Sequence, residues 1–116
     1  MREAVGMLEV FGFACAMVAA DAGCKAGNVY IEAIDKNKPA NADSLPVPLL
    51  VCVKFRGSVA DVEAAMEAAE KAALAMTGIY SKHIIPGPEE ETEGMLQISC
   101  IGKAVPKGQA PTKDRF

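Results

Sequence analysis

Apolar residues along this chain switch between a period of two and a period near 3.6, and the switches mark its elements. "AVGMLEV" (4–10) is a short apolar run rich in strand formers, closed by "FGF" at 11–13, and predicts a first strand. Helix formers fill residues 13–26, with Lys25 in the last turn and Gly27 where a left-handed C-terminal cap belongs. "NVYIEAID" (28–35) alternates, Val29, Ile31 and Ala33 against Tyr30, Glu32 and Ile34, which predicts a second strand. "KNKPANADSLPVP" (36–48) holds three prolines, two asparagines and an aspartate, and reads as a long loop. "LLVCVKF" (49–55) is a near-continuous apolar run suited to a buried strand.

A second helix follows, and its pattern is the clearest in the chain. Ser58 and Asp61 have capping-box spacing, with Asp in place of the usual Glu. Val59, Val62, Met66, Ala69, Ala73 and Met76 alternate spacings of three and four, forming one apolar stripe. Glu63, Glu67, Glu70 and Lys71 occupy other faces, with Glu67 and Lys71 at the favourable i,i+4 spacing. Gly78 stops the helix. "IYSKHII" (79–85) predicts a fourth strand ended by "PGP", and "EEETEGML" a short helix with acids near its positive end. "QISCI" carries a weaker strand pattern, and "GKAVPKGQAPTKDRF" reads as a flexible tail. The order of elements predicts an α/β (α+β) fold of the ferredoxin-like, split βαβ kind: a four-stranded antiparallel sheet with helices packed on one face. That arrangement hosts many functions, so it decides none.

Composition adds an expectation about assembly. At 116 residues the chain is one domain, and 51% of its residues are apolar, enough for a core. That apolar content is dominated by alanine and valine, with no tryptophan and only two tyrosines and four phenylalanines. Small side chains bury little area each, at roughly 25 cal/mol per Å², which favours stability borrowed from neighbours in an oligomer. A net charge of −3 without a basic cluster argues against nucleic acid as a partner. No apolar run approaches the ~20 residues of a membrane span, so no membrane is expected. The first residues lack the basic and apolar regions of a signal peptide, and the expected location is cytoplasmic.

Candidate chemistry is sparse. Cys15, Cys24, Cys52 and Cys100 show no CxxC pairing, so they are expected to be small buried hydrophobes, and no metal is expected. His83 lies on a predicted strand with no second ligand or nucleophile at a recognisable spacing, and reads as structural or solvated. Glu9 and Glu32 offer carboxylates on two strands, but nothing in the sequence brings them together. The glycines form neither a phosphate-binding loop nor a dinucleotide pattern. With no catalytic constellation, the chain is not expected to be an enzyme.

One stretch remains, "AADAGCKAG" (19–27), a helix end with almost nothing to pack and a single lysine. It is part of "AVGMLEVFGFACAMVAADAGCKAGNV", which resembles the opening of bacterial microcompartment shell proteins, the hexamer-forming BMC domain. That family begins with an A-x-G-M-x-E-x-x-G strand and a helix ending A-A-D-A-x-x-K-A. These motifs fall here on Ala4, Gly6, Met7, Glu9 and Gly12, then on Ala19, Ala20, Asp21, Ala22, Lys25 and Ala26. "VKFRGSVADVEAAMEAA" is similar to the family's V-R-G-D-V-x-x-V-x-x-A, and "SKHIIP" to its V-H-V-I-P.

The resemblance implies a structural role. Six chains would form a hexagonal tile, tiles would join other shell proteins edge to edge, and the sheet would enclose enzymes in the cytoplasm. Residues 1–96 would be the shell domain and 97–116 a partly flexible extension. The loop after the second strand would surround the six-fold axis and form a pore for small metabolites, lined by Lys36, Asn37, Lys38, Pro39, Ala40, Asn41, Ala42, Asp43 and Ser44. Lys25 would meet its counterpart at the hexamer edge, with Asp21, Ala22 and Ala26 around it. A cation near a helix C-terminus also gains about 0.3–1 kcal/mol from the macrodipole, which accounts for the charge but not for the bare surroundings. Two departures stand out: the loop is longer and richer in proline than the family's glycine-rich one, and Gly87 replaces an arginine common after the fourth strand. Some relatives bind an iron–sulfur cluster through a pore-loop cysteine. Residues 36–48 contain none, so no cofactor is expected. The rival reading is a small-molecule-binding regulatory protein on a ferredoxin-like fold.

Overall fold

The structure, a computed structural model, describes residues 3–37, 42–45 and 49–97. Its elements follow the predicted order: β1 (Ala4–Phe11), α1 (Phe13–Ala26), β2 (Tyr30–Asn37), β3 (Leu50–Gly57), α2 (Val59–Leu74), β4 (Ile79–Ile85) and α3 (Glu90–Leu96). The strands form one antiparallel sheet in the order β2-β3-β1-β4, so β3 lies between the two strands that α1 connects. This is the split βαβ arrangement expected from the sequence. The "QISCI" strand pattern from Ile98 onward and the tail beyond it lie outside the described residues.

Side-chain parity divides the sheet into two faces. Ala4, Leu8 and Val10 of β1 join Val51, Val53 and Phe55 of β3 in a core covered by α1 and α2. The opposite face carries Val5 beside Arg56, Met7 beside Lys54 and Glu9 beside Cys52. The two long helices share the first face, as expected. The short helix α3 does not join them: Glu93 and the Leu96 carbonyl reach Arg56 and Lys54 on the second face.

β2 departs from its predicted alternation. Ile31 pairs with Phe55 and Ala33 with Lys54, so Glu32 is an extra residue that forms a bulge. Beyond it the parity inverts, and Ile34 packs on the same core as Ile31 while Ala33 lies on the side of Lys54. Ile34, one position beyond the expected Ala33, thus keeps the core filled.

The helices pack through small residues. Ala16, Ala19 and Gly23 of α1 and Ala65, Ala69 and Ala73 of α2 are all buried. A Cβ on Gly23 would come within 2.6 Å of the Phe55 ring. Gly27 is not the left-handed cap expected of it, since its φ of −136° and ψ of 157° are extended. Glycine is needed there because a Cβ would collide with the Asp61 carbonyl oxygen, where the end of α1 touches the first turn of α2. Ser58 caps α2 by accepting from the Asp61 N–H at 3.1 Å, and the Asp61 carboxylate accepts from the Ser58 hydroxyl and the Asn28 N–H. Of the predicted α2 stripe, Val62, Met66, Ala69 and Ala73 are buried, whereas Val59 and Met76 at its ends are exposed. The cysteines also divide: Cys15 is buried, Cys52 half-buried and Cys24 exposed, contrary to the expectation for Cys24. Its position on the outward side of the last turn of α1 accounts for this. Cys100 lies outside the described residues.

Candidate functional site

Two surfaces carry the residues singled out from the sequence, and β2 separates them. One follows its last residue. The β2–β3 ladder runs on to Lys36 opposite Val51 and Asn37 opposite Leu50, so these two belong to the strand rather than to the loop. The pairing with β3 thus runs two residues past the end of the predicted alternation at Asp35. Both side chains are exposed. Ala42–Ser44 forms one turn of 3-10 helix, with Asp43 and Ser44 exposed. Lys38, Pro39, Ala40 and Asn41 lie outside the described residues.

The other surface is the end of α1. Lys25 and Asp21 form an i,i+4 ion pair at 2.7 Å, with side chains 76% and 62% exposed. The carboxylate, by hydrogen bond and charge, raises the Lys25 ammonium above its ordinary value, so the lysine stays charged. The bare stretch around it divides between two faces of the helix. Ala19, Ala20 and Gly23 face inward and let α2 and Phe55 approach, whereas Ala22 is half-buried and Ala26 is exposed beside Lys25. Gly27, Asn28 and Val29 then lead into β2. At about 3.3 Å per residue, the seven steps from Tyr30 to Asn37 place the α1 end and the loop about 23 Å apart along the strand.

The second sheet face holds a charged cluster that sequence reasoning missed. Arg56 is only 3% exposed, donates to both Glu93 carboxylate oxygens at 3.0 and 2.5 Å, and donates to the Glu3 carbonyl. Glu32 stands 3.9 Å from the same guanidinium. Lys54 pairs with Asp35 at 2.6 Å and donates to the Leu96 carbonyl. Tyr30 donates to the Glu3 carboxylate at 2.6 Å, and burial together with that acceptor pushes its hydroxyl up to about 12. Burial, reinforced by Glu93 and Glu3 against the pull of Arg56, raises the Glu32 carboxyl. A signal was present: two cations spaced by two in an otherwise apolar run share one sheet face, and a buried cation requires partners.

None of this assembles chemistry. Burial, then Glu9 and Asp35, push the Cys52 thiol up to about 12, so it stays protonated and is a poor nucleophile. Glu9 accepts from Ser81 at 2.8 Å and Glu32 faces Arg56, so the two candidate carboxylates have separate partners. His83 is exposed opposite Met7. Among the described residues no group of three ligating side chains could hold a metal ion, and no helix is long and apolar enough to cross a membrane.

Comparison with known proteins agrees with this geometry. The BMC domain family matches residues 4–88. The chain is 35% identical over 95 residues to bacterial microcompartment shell protein PduA of Citrobacter freundii, covering 82% of this chain and 92% of that protein. It is 35% identical over 100 residues to carboxysome shell protein CcmK2 of Synechococcus elongatus, covering 84% and 89% respectively. Among solved structures, a microcompartments protein from Desulfitobacterium hafniense matches with a TM-score of 0.63 at 25% identity. That match covers 83% of this chain and 47% of the other, so the chain spans about half that protein's length. With its fold, its motifs and the length of these matches in agreement, the chain belongs to the BMC domain family.

Proposed function

We propose that this chain is a structural shell protein of a bacterial microcompartment. Six copies close into a hexamer, hexamers join one another and other shell proteins in a sheet, and the sheet encloses enzymes in the cytoplasm. The observation that carries this reading is the separation of the two candidate surfaces along β2. A tile needs one end of each chain at its axis and the other at its rim, and the loop after Asn37 and the end of α1 meet that need. Around the axis, six-fold symmetry would repeat Lys36, Lys38 and Asp43, so each charge acts six times on a metabolite entering the pore lined by Lys36 to Ser44.

At the rim, Lys25 meets its counterpart across a two-fold axis. Asp21 neutralises each ammonium in place, which removes most of the like-charge repulsion, and the exposed Ala26 leaves room for the neighbouring backbone. The lysine stems can lie antiparallel while the ammonium groups donate to carbonyls.

Electron microscopy of purified protein tests the assembly. The parent should form sheets or tubes. Lys25→Ala should keep hexamers by light scattering while forming fewer sheets, and Lys25→Asp fewer still. Sheets formed as readily by both variants would reduce Lys25 to a helix cap, and a stable monomer of the parent at micromolar concentration would remove the hexamer.

A further inference from the structure

α3 reaches two buried cations on the second sheet face, Arg56 and Lys54, through the Glu93 carboxylate and the Leu96 carbonyl. An element that covers buried cations is ordinarily fixed, because its departure would strand their charges. Here the sheet itself offers each cation a second partner. β2 sets Asp35 2.6 Å from Lys54 and Glu32 3.9 Å from Arg56 Nη1. The first pair is already made, whereas the second stops short of a hydrogen bond. Residues three apart on a regular strand point to opposite faces, so only the bulge at Glu32 lets β2 present both acids to the same face.

Arg56 keeps donors for such a partner. Its Nε is buried without a hydrogen-bond partner among the described residues, and Nη1 donates one hydrogen bond with two hydrogens. Two carboxylates from different elements, Glu93 and Glu32, therefore face one guanidinium. The charged and titratable groups around Glu32 are Arg56 and Lys54 on β3, Glu93 on α3, Glu3 ahead of β1 and Tyr30 on β2. Burial raises the Glu32 carboxyl most, and Glu93 and Glu3 raise it further against the pull of Arg56 and Lys54. A docked Glu93 thus disfavours charge on Glu32, and by linkage a charged Glu32 disfavours docking.

We propose that α3 is a strap with two states, between which Arg56 exchanges one carboxylate for the other. With α3 docked, Glu93 holds the guanidinium; with α3 released, Glu32 holds it and Asp35 keeps Lys54. Release strands neither cation, so the sheet stays intact while Glu90–Leu96 swings away. Pro88, fully buried ahead of the helix, stays seated, and Leu96 is the apolar anchor given up. Every group in the exchange belongs to one chain, so it does not rest on the shell reading.

Amide hydrogen exchange of the full chain tests this with two conservative variants and their combination. Glu93→Gln should speed exchange of the α3 amides several-fold and leave β3 unchanged. Glu32→Gln removes the rival acceptor and should slow exchange in α3 several-fold. In the double variant Arg56 has neither carboxylate, and the β3 amides should exchange several-fold faster than in Glu93→Gln. Protection of α3 that falls or stays the same in Glu32→Gln would overturn the exchange, since Glu32 would then be no rival to Glu93. So would β3 amides that already exchange as fast in Glu93→Gln as in the double variant, since Glu32 would then be no reserve.

Discussion

Tyr30 concentrates the physics of the second sheet face in one hydroxyl. It donates to the Glu3 carboxylate, and ionising it would set two negative charges 2.6 Å apart. Its value of about 12 lies above the roughly 10 of a free tyrosine, so it contributes stability that is intact below about pH 10 and lost as the pH rises toward 12. In Tyr80→Phe, where Tyr30 is the sole tyrosine, tyrosinate absorbance should therefore appear near pH 12, and adding Glu3→Gln should bring it down. At this scale the sequence was informative where a residue answers to its immediate neighbours along the chain. Ser58 and Asp61 cap α2 as their spacing predicts. It was silent where the partner is distant: Arg56 meets Glu93 across 37 residues, and no local pattern announces that pairing.

Among the elements, α3 depends most on such distant partners. It has seven residues, Gly94 within it and no side-chain N-cap, so its own propensity is slight. Buried Arg56 and Lys54 fasten it at Glu93 and at the Leu96 carbonyl, with Leu96 itself 5% exposed. Replacing the carboxylate of Glu93 leaves the guanidinium short of a counter-charge. Glu93→Gln should therefore loosen α3 by roughly 1–3 kcal/mol. Hydrogen exchange should show the effect as faster exchange of the α3 amides with β1 and β3 unchanged. The existence and order of the elements were legible because long periodic stretches such as α2 override local noise. The bulge at Glu32 was not, since one inserted residue inverts parity without changing the composition of the strand. Nor was the face chosen by α3, which only the positions of Arg56 and Lys54 determine.

For the whole molecule, the family was legible because its motifs fall in order along residues 3 to 86, and the structure adds where their ends lie. The candidate loop was legible only as a loop: its last strand pairs, Lys36 and Asn37, emerge from the register of β2. Gly87 offers a test of the proposed assembly. A Cβ built there meets nothing within 4 Å, so a larger side chain fits without displacing anything. Gly87→Arg, which restores the residue usual in relatives, should leave the hexamer intact and raise the yield of sheets seen by electron microscopy. An unchanged yield would mean that this corner takes no part in tiling. The contact between Gly27 and Asp61 has a mechanical consequence. The backbone that presents Lys25 is held from behind by the Phe55 ring at Gly23, by the Asp61 carbonyl at Gly27 and by the Asp61 carboxylate at Asn28. A helix end braced at three successive points behaves as a stiff lever, not a hinge. Curvature in a closed container made of such chains would then arise as rotation at the seams between rigid plates, with each plate staying flat.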